Sequence, residues 1–127
     1  MNLDFSPEDE AFRLEARAFL AEAYPTELRA RQERGETLGR EDFLSWHHAL
    51  AKKGWVAPSW PVEFGGTGWT PTQKYIWKDE LARIDAVRIM PFGVTMLAPV
   101  LFMFGTEAQK QRFLPPIYRG EEWWCQG

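Results

Sequence analysis

Apolar residues return at helical spacing early in the chain, with Phe12, Ala16, Phe19, Leu20 and Ala23 forming one stripe. Ser6 is placed to cap this helix, Pro7 suits its first position, and Glu8, Asp9 and Glu10 complement the positive end of the helix dipole. Pro25 disfavours helical geometry at Tyr24, which predicts an end near that residue. Residues 26–39 are charged, broken by Gly35 and Gly39, and anchored early only by Leu28, so a short irregular helix or an exposed loop is expected. A further helix over 40–53 would turn Phe43, Trp46, His47, Leu50 and Ala51 inward and close at Gly54 in a left-handed conformation.

The pattern then changes. Residues 54–68 hold four Gly and two Pro, which no regular element can accommodate, yet Trp55, Val56, Trp60, Val62 and Phe64 are too apolar for a disordered linker. An ordered loop packed down by its own rings reconciles the two. Thr70 and Gln73 form a capping box that restarts helix, with Tyr75, Trp77, Leu81 and Ile84 supplying apolar contacts and Lys74, Lys78, Asp79, Glu80 and Arg83 left in water. The segment 91–104 is apolar almost all round, as a central helix would be. A second capping box, Thr106 with Gln109, opens a last helix that Pro115 and Pro116 should interrupt. The sum is an all-α fold of about five or six helices.

Composition narrows the classes. With 127 residues and 45% apolar content, one domain with a real core is expected. The net charge of -3 gives no electrostatic case for binding nucleic acid or an anionic membrane. The uncharged run Ile89 to Gly105 is short for a bilayer span and carries Pro91, Gly93 and Pro99, so it reads as a buried segment and no membrane span is expected. The acidic N-terminus lacks the basic start and apolar run of a signal peptide. Cys125 is the single cysteine, which fits a reducing cytoplasmic setting and suits a small buried hydrophobe. Seven Trp are more than the chain's size requires; they fill a core or await a partner surface.

Catalytic patterns are missing. His47 and His48 are adjacent, so on a helix they point about 100° apart and cannot chelate one metal together; one should pack and the other face solvent. Gly65-Gly66-Thr67-Gly68 has no Lys-Ser/Thr partner and follows no clear strand, which leaves it a turn. Glu63 is the most interesting carboxylate, with loop capping its expected role. Neither a catalytic residue nor a metal site is assigned, and a helical domain without a self-contained active site is predicted.

Four ordered pieces nevertheless carry a resemblance. They are Gly54-Trp55 with Pro58-Ser59-Trp60-Pro61-Val62-Glu63-Phe64-Gly65-Gly66-Thr67-Gly68, then Asp79-Glu80-Leu81-Ala82, then Gly105-Thr106-Glu107-Ala108-Gln109-Lys110 with Phe113-Leu114-Pro115, then Gly120-Glu121. Together with the opening Asp4-Phe5-Ser6-Pro7-Glu8, they resemble the N-terminal helical domain of acyl-CoA dehydrogenases over nearly the whole chain. The resemblance implies a helical domain over 1–122, with 123–127 starting the first strand of a flavin-binding β-domain that, with the C-terminal helical bundle, is absent from this sequence. It implies FAD, an acyl-CoA substrate, an electron-transfer flavoprotein and a homo- or hetero-oligomer for the complete protein. In that chemistry a Glu removes the α-proton of the thioester while the β-hydrogen leaves as hydride to the flavin. That base lies outside this chain, so no residue here inherits its role.

By the same resemblance, the segment around Ile89, Phe92, Gly93, Met96 and Pro99 borders the acyl pocket, with Gly93 leaving room for substrate, and Gln126 and Gly127 lie nearest the flavin. Ordinary core packing competes with this reading at each of the five. The leading expectation is the N-terminal part of a flavin-dependent acyl-CoA dehydrogenase, inactive alone. A non-catalytic helical module that assembles with a separate flavoprotein chain, and an acyl-CoA oxidase that uses oxygen, are the alternatives.

Overall fold

The computed structural model describes residues 4–127. Six α-helices account for most of it, and there is no strand among the described residues: α1 (Pro7–Ala23), α2 (Thr26–Glu33), α3 (Arg40–Lys53), α4 (Pro71–Arg83), α5 (Ala98–Phe104) and α6 (Glu107–Arg119). A 3-10 turn (Val62–Phe64) lies in the Trp-rich loop, and a π turn (Phe92–Leu97) runs directly into α5.

Local sequence sets the helix ends. The Ser6 hydroxyl accepts the Asp9 N–H at 3.1 Å, and both capping boxes form, with the Gln73 N–H reaching Thr70 and the Gln109 N–H reaching Thr106. Each cap satisfies a donor that the first helical turn leaves free. Gly54 ends α3 at φ 83°. The charged stretch after Pro25 forms a regular two-turn helix, α2, seated by buried Leu28.

Packing pairs α1 with α4, and sets α3, the π turn and α5 against α6. The α1 row Phe12, Ala16 and Leu20 is buried, and so are Ile76 and Trp77 of α4. Between the two groups lies an aromatic core. Trp55 meets Phe12, Phe19, Trp69 and Trp77 with ring centroids 4.9–5.9 Å apart, mostly edge to face, and Lys53 lies over its ring. This is the favourable geometry for ring quadrupoles. The Trp-rich loop is therefore ordered, and most of the seven Trp are spent on the core.

Four expectations need correction. Glu80 is not in water: its side chain is fully buried on the same α4 face as Ile76, while Tyr75 is 60% exposed. The stripe 76, 77, 80 is the inward face, with the charge of Glu80 matched inside by arginines. Second, the segment 91–104 is not a central all-round helix. It buries Val94, Ala98 and Leu101 and leaves an apolar face outside. Third, α6 continues through Pro115 and Pro116. The carbonyls that lose donors there belong to Gln111 and Arg112, which are exposed and can be hydrated, while buried Leu114 and Ile117 hold the helix down. Fourth, Cys125 is exposed. Residues 123–127 carry no regular secondary structure.

Candidate functional site: an outward apolar face beside the chain's last residues

The five residues expected at an acyl pocket divide by position. Gly93 is buried, Ile89 and Phe92 are half-buried, and Met96 and Pro99 are exposed. A Cβ at Gly93 would come 2.9 Å from the Ile117 side chain and 3.4 Å from the Trp124 ring. The glycine therefore allows α6 and the C-terminal segment to close on the π turn. Trp124 in turn packs edge-on against Phe113 of α6 at 5.5 Å. These contacts hold Trp124 against α6 and beside the π turn, while Gln126 and Gly127 are exposed.

Met96 and Pro99 are not isolated on the surface. Val100, Met103 and Phe104 continue the same helix outward, and exposures of 45% for Met96, 52% for Val100, 76% for Met103 and 77% for Phe104 mark a ridge the core does not use. Scattered exposed apolar residues are ordinary, but a run of this kind on one helix signals a surface meant to be covered. The sequence reading named Met96 and Pro99 and missed Val100, Met103 and Phe104. Their signal was present in the uniform apolarity of 91–104, which a core helix and a two-sided helix share.

The candidate carboxylates are structural or exposed. Arg13 reaches Glu80 at 2.8 Å, and Arg17 and Arg83 each reach it at 2.9 Å, while Arg13 also holds Asp79 at 2.7 Å. Burial pushes the Glu80 carboxyl up, but hydrogen bonds from Arg17, Arg13 and Arg83 outweigh it and leave it at about 2. A carboxylate held in this way is charged at neutral pH and unsuited to taking up a proton. Glu63 is exposed in the 3-10 turn, on the rim of a groove of about 360 Å³ that Phe64, Lys110, Leu114, Tyr118 and Arg119 also line.

His47 is buried and His48 exposed, as their adjacency predicts. The His47 imidazole lies 2.8 Å from the Tyr118 carbonyl through Nε2, and burial lowers its pKa from the ordinary value, so it stays neutral and joins α3 to α6. Among the described residues, no group of three or more His, Cys, Asp or Glu is placed to hold a metal ion, and no helix is long and apolar enough to cross a membrane.

Residues 6–121 match the family model of the acyl-CoA dehydrogenase N-terminal domain. The chain belongs to the acyl-CoA dehydrogenase family. Among curated relatives, the acyl-CoA dehydrogenase IpdE1 of Mycobacterium tuberculosis is 37% identical over 93% of this chain and 32% of its own length. The acyl-CoA dehydrogenase FadE26 of the same organism is 31% identical over 95% of this chain and 30% of its own. Among solved structures, the ChsE4-ChsE5 complex from M. tuberculosis superposes with a TM-score of 0.75 at 28% identity, covering 95% of this chain and 30% of that one. A variant of the Tcur3481-Tcur3483 steroid ACAD gives 0.71 at 31% identity, covering 90% and 30%. This chain thus spans about a third of the length of these acyl-CoA dehydrogenases, and its helical bundle matches the family's N-terminal domain.

Proposed function

We propose that this chain is the N-terminal helical part of a flavin-dependent acyl-CoA dehydrogenase, contributing one wall of the acyl pocket to a complete enzyme that desaturates an acyl-CoA thioester. The observation that carries the reading is the outward apolar ridge of Met96, Pro99, Val100, Met103 and Phe104, which leaves the domain's own core closed without it. A wall of this kind binds and orients the acyl tail and excludes water from it. It needs no titratable group, and the ridge contains none.

The fit to FAD is that of an edge only. Gln126 and Gly127 are exposed, so the Gln126 amide and the backbone of both are accessible to a flavin. The buried indole Nε1 of Trp123 has no hydrogen-bond partner among the described residues, so a polar group brought to this segment would find a donor there. When bound, FAD supplies the hydride acceptor; Gln126 and Gly127 would hold its edge and this chain would supply no base. The 127-residue chain alone should therefore retain no flavin and turn over no acyl-CoA.

Assembly with further chains is part of the reading, supported by one neighbour being a complex of two named proteins. The electron acceptor we propose is an electron-transfer flavoprotein, and the setting a reducing cytoplasm. The steroid named for the other neighbour makes a ring-bearing acyl-CoA the first substrate to try.

The test is anaerobic reduction of the complete protein's flavin by acyl-CoA, in wild type and in Met96→Trp. The reading predicts bleaching of the flavin in wild type and loss of acyl-CoA affinity in the variant. Unchanged affinity would remove the wall role. Stoichiometric flavin on the 127-residue chain alone would contradict the edge role, and peroxide formed in air at the rate of turnover would replace the acceptor by oxygen.

A further inference from the structure

The turn at Phe92–Leu97 is π-helical, a form that is rare and concentrated at functional sites. Pro99 leaves one carbonyl without a donor in either register. In an α register that carbonyl is Thr95 O, which would need an N–H from residue 99, and Pro99 has none. The Ala98 N–H shows the longer register directly, since it donates to Gly93 O, five residues back. The change transfers the deficit to Val94 O, which has given up the Ala98 N–H and now faces Pro99. Val94 is buried, and a buried carbonyl without a donor is strongly disfavoured.

The missing donor comes from the Trp-rich loop. Trp60 Nε1–H donates to Val94 O at 2.8 Å in a buried setting, across 34 residues of sequence. The indole is itself held by Phe102 at 5.4 Å and Tyr118 at 5.7 Å. We infer that Trp60 is a positioning residue for the acyl pocket, its indole N–H holding the π register that fixes how Met96 is presented relative to the rest of the ridge and how Gly93 seats against Ile117 and Trp124. This rests on the wall reading above. Without the indole N–H, Val94 O regains a partner by taking the Ala98 N–H, and the turn tightens toward α. Removing one residue from the turn rotates 92–97 by about 100° relative to α5. Met96 then leaves the ridge, Gly93 leaves its seat against Ile117 and Trp124, and the wall's shape changes. The property under control is discrimination between linear and ring-bearing acyl tails.

The experiment uses the complete flavin-loaded protein and two non-reacting thioethers, octyl-CoA and cyclohexylethyl-CoA, with dissociation constants from calorimetry. Trp60→Phe, and replacement of Trp60 by benzothienylalanine, which puts sulfur in place of the N–H at nearly constant shape, both delete the donor. Either should change the ratio of the two constants by about tenfold, the low end of what a single pocket contact discriminates, and should change exchange protection of the Ala98 amide. Met96→Ala tests the wall itself, and Ile76→Val in the α1–α4 core is the control for stability loss alone. A shifted ratio for Met96→Ala with none for either Trp60 replacement overturns the inference and leaves the wall standing. No shift in any of the three removes the wall reading and the inference with it. A shift in Ile76→Val equal to that of Trp60→Phe assigns the effect to stability and also overturns the inference.

Discussion

The α1–α4 half and the π turn with α5 are built from opposite rules. The first satisfies itself: Glu80 lies fully buried among Arg13, Arg17 and Arg83, and Trp55 is ringed by Phe12, Phe19, Trp69 and Trp77. The second borrows. Its Val94 carbonyl depends on an indole from a distant loop, and its apolar ridge has no cover. The difference separates the part of the domain that closes on itself from the part whose apolar face is left outside.

If that division is right, substitutions of similar size should have very different costs in the two places. Trp55→Ala opens the aromatic core and should cost about 4 kcal/mol of folding stability by urea titration, within the usual range for a buried large aromatic. A cost below about 1 kcal/mol would mean that the ring cluster is not the domain's anchor. Glu80→Ala removes the buried partner of Arg13, and breaking such a pair typically costs about 3 kcal/mol or more. Because Asp79 still holds Arg13, the lower figure is expected.

Acid should expose the same dependence. Glu80 has a folded pKa of about 2, below its ordinary 4.5, so its stabilisation is complete above the higher value and is lost as pH falls toward the lower one. His47 adds an earlier stage: its folded pKa lies below the ordinary 6.5, so the unfolded chain takes up a proton first and stability starts to fall below about that pH. Urea midpoints measured against pH should show both stages, with the second absent in Glu80→Ala. Thr106→Ala removes one capping bond at the start of α6 and should cost about 1 kcal/mol. The smallest effect is expected on the ridge, where Phe104→Ser should change stability by no more than about 0.5 kcal/mol. A loss as large as that of Trp55→Ala would place Phe104 in a core and abolish the distinction.

How far the sequence could be read follows the same line. The caps at Ser6, Thr70 and Thr106 were legible because each cap and its partner lie three residues apart. The family, too, was legible, through short motifs in the right order. Glu80 was misplaced because its partners Arg13 and Arg17 are 67 and 63 residues away. Helical phase alone, four residues on from Ile76, would have placed it inside. The π turn could not be read from 91–104, since its stabilising donor sits at Trp60. The ridge was half-legible: uniform apolarity announced burial without saying by what. Continuation of α6 through Pro115 and Pro116 depended on which carbonyls face water, a tertiary fact.

The most direct test is oxidative footprinting of Met96 and Met103, in the 127-residue chain and in the complete protein with acyl-CoA bound, with half-buried Met90 as internal reference. Ready oxidation of both in the chain alone and strong protection of both in the complete, liganded protein is the predicted result. Equal oxidation in the two states would show that nothing covers the ridge, and the proposed wall of the acyl pocket would have to be given up.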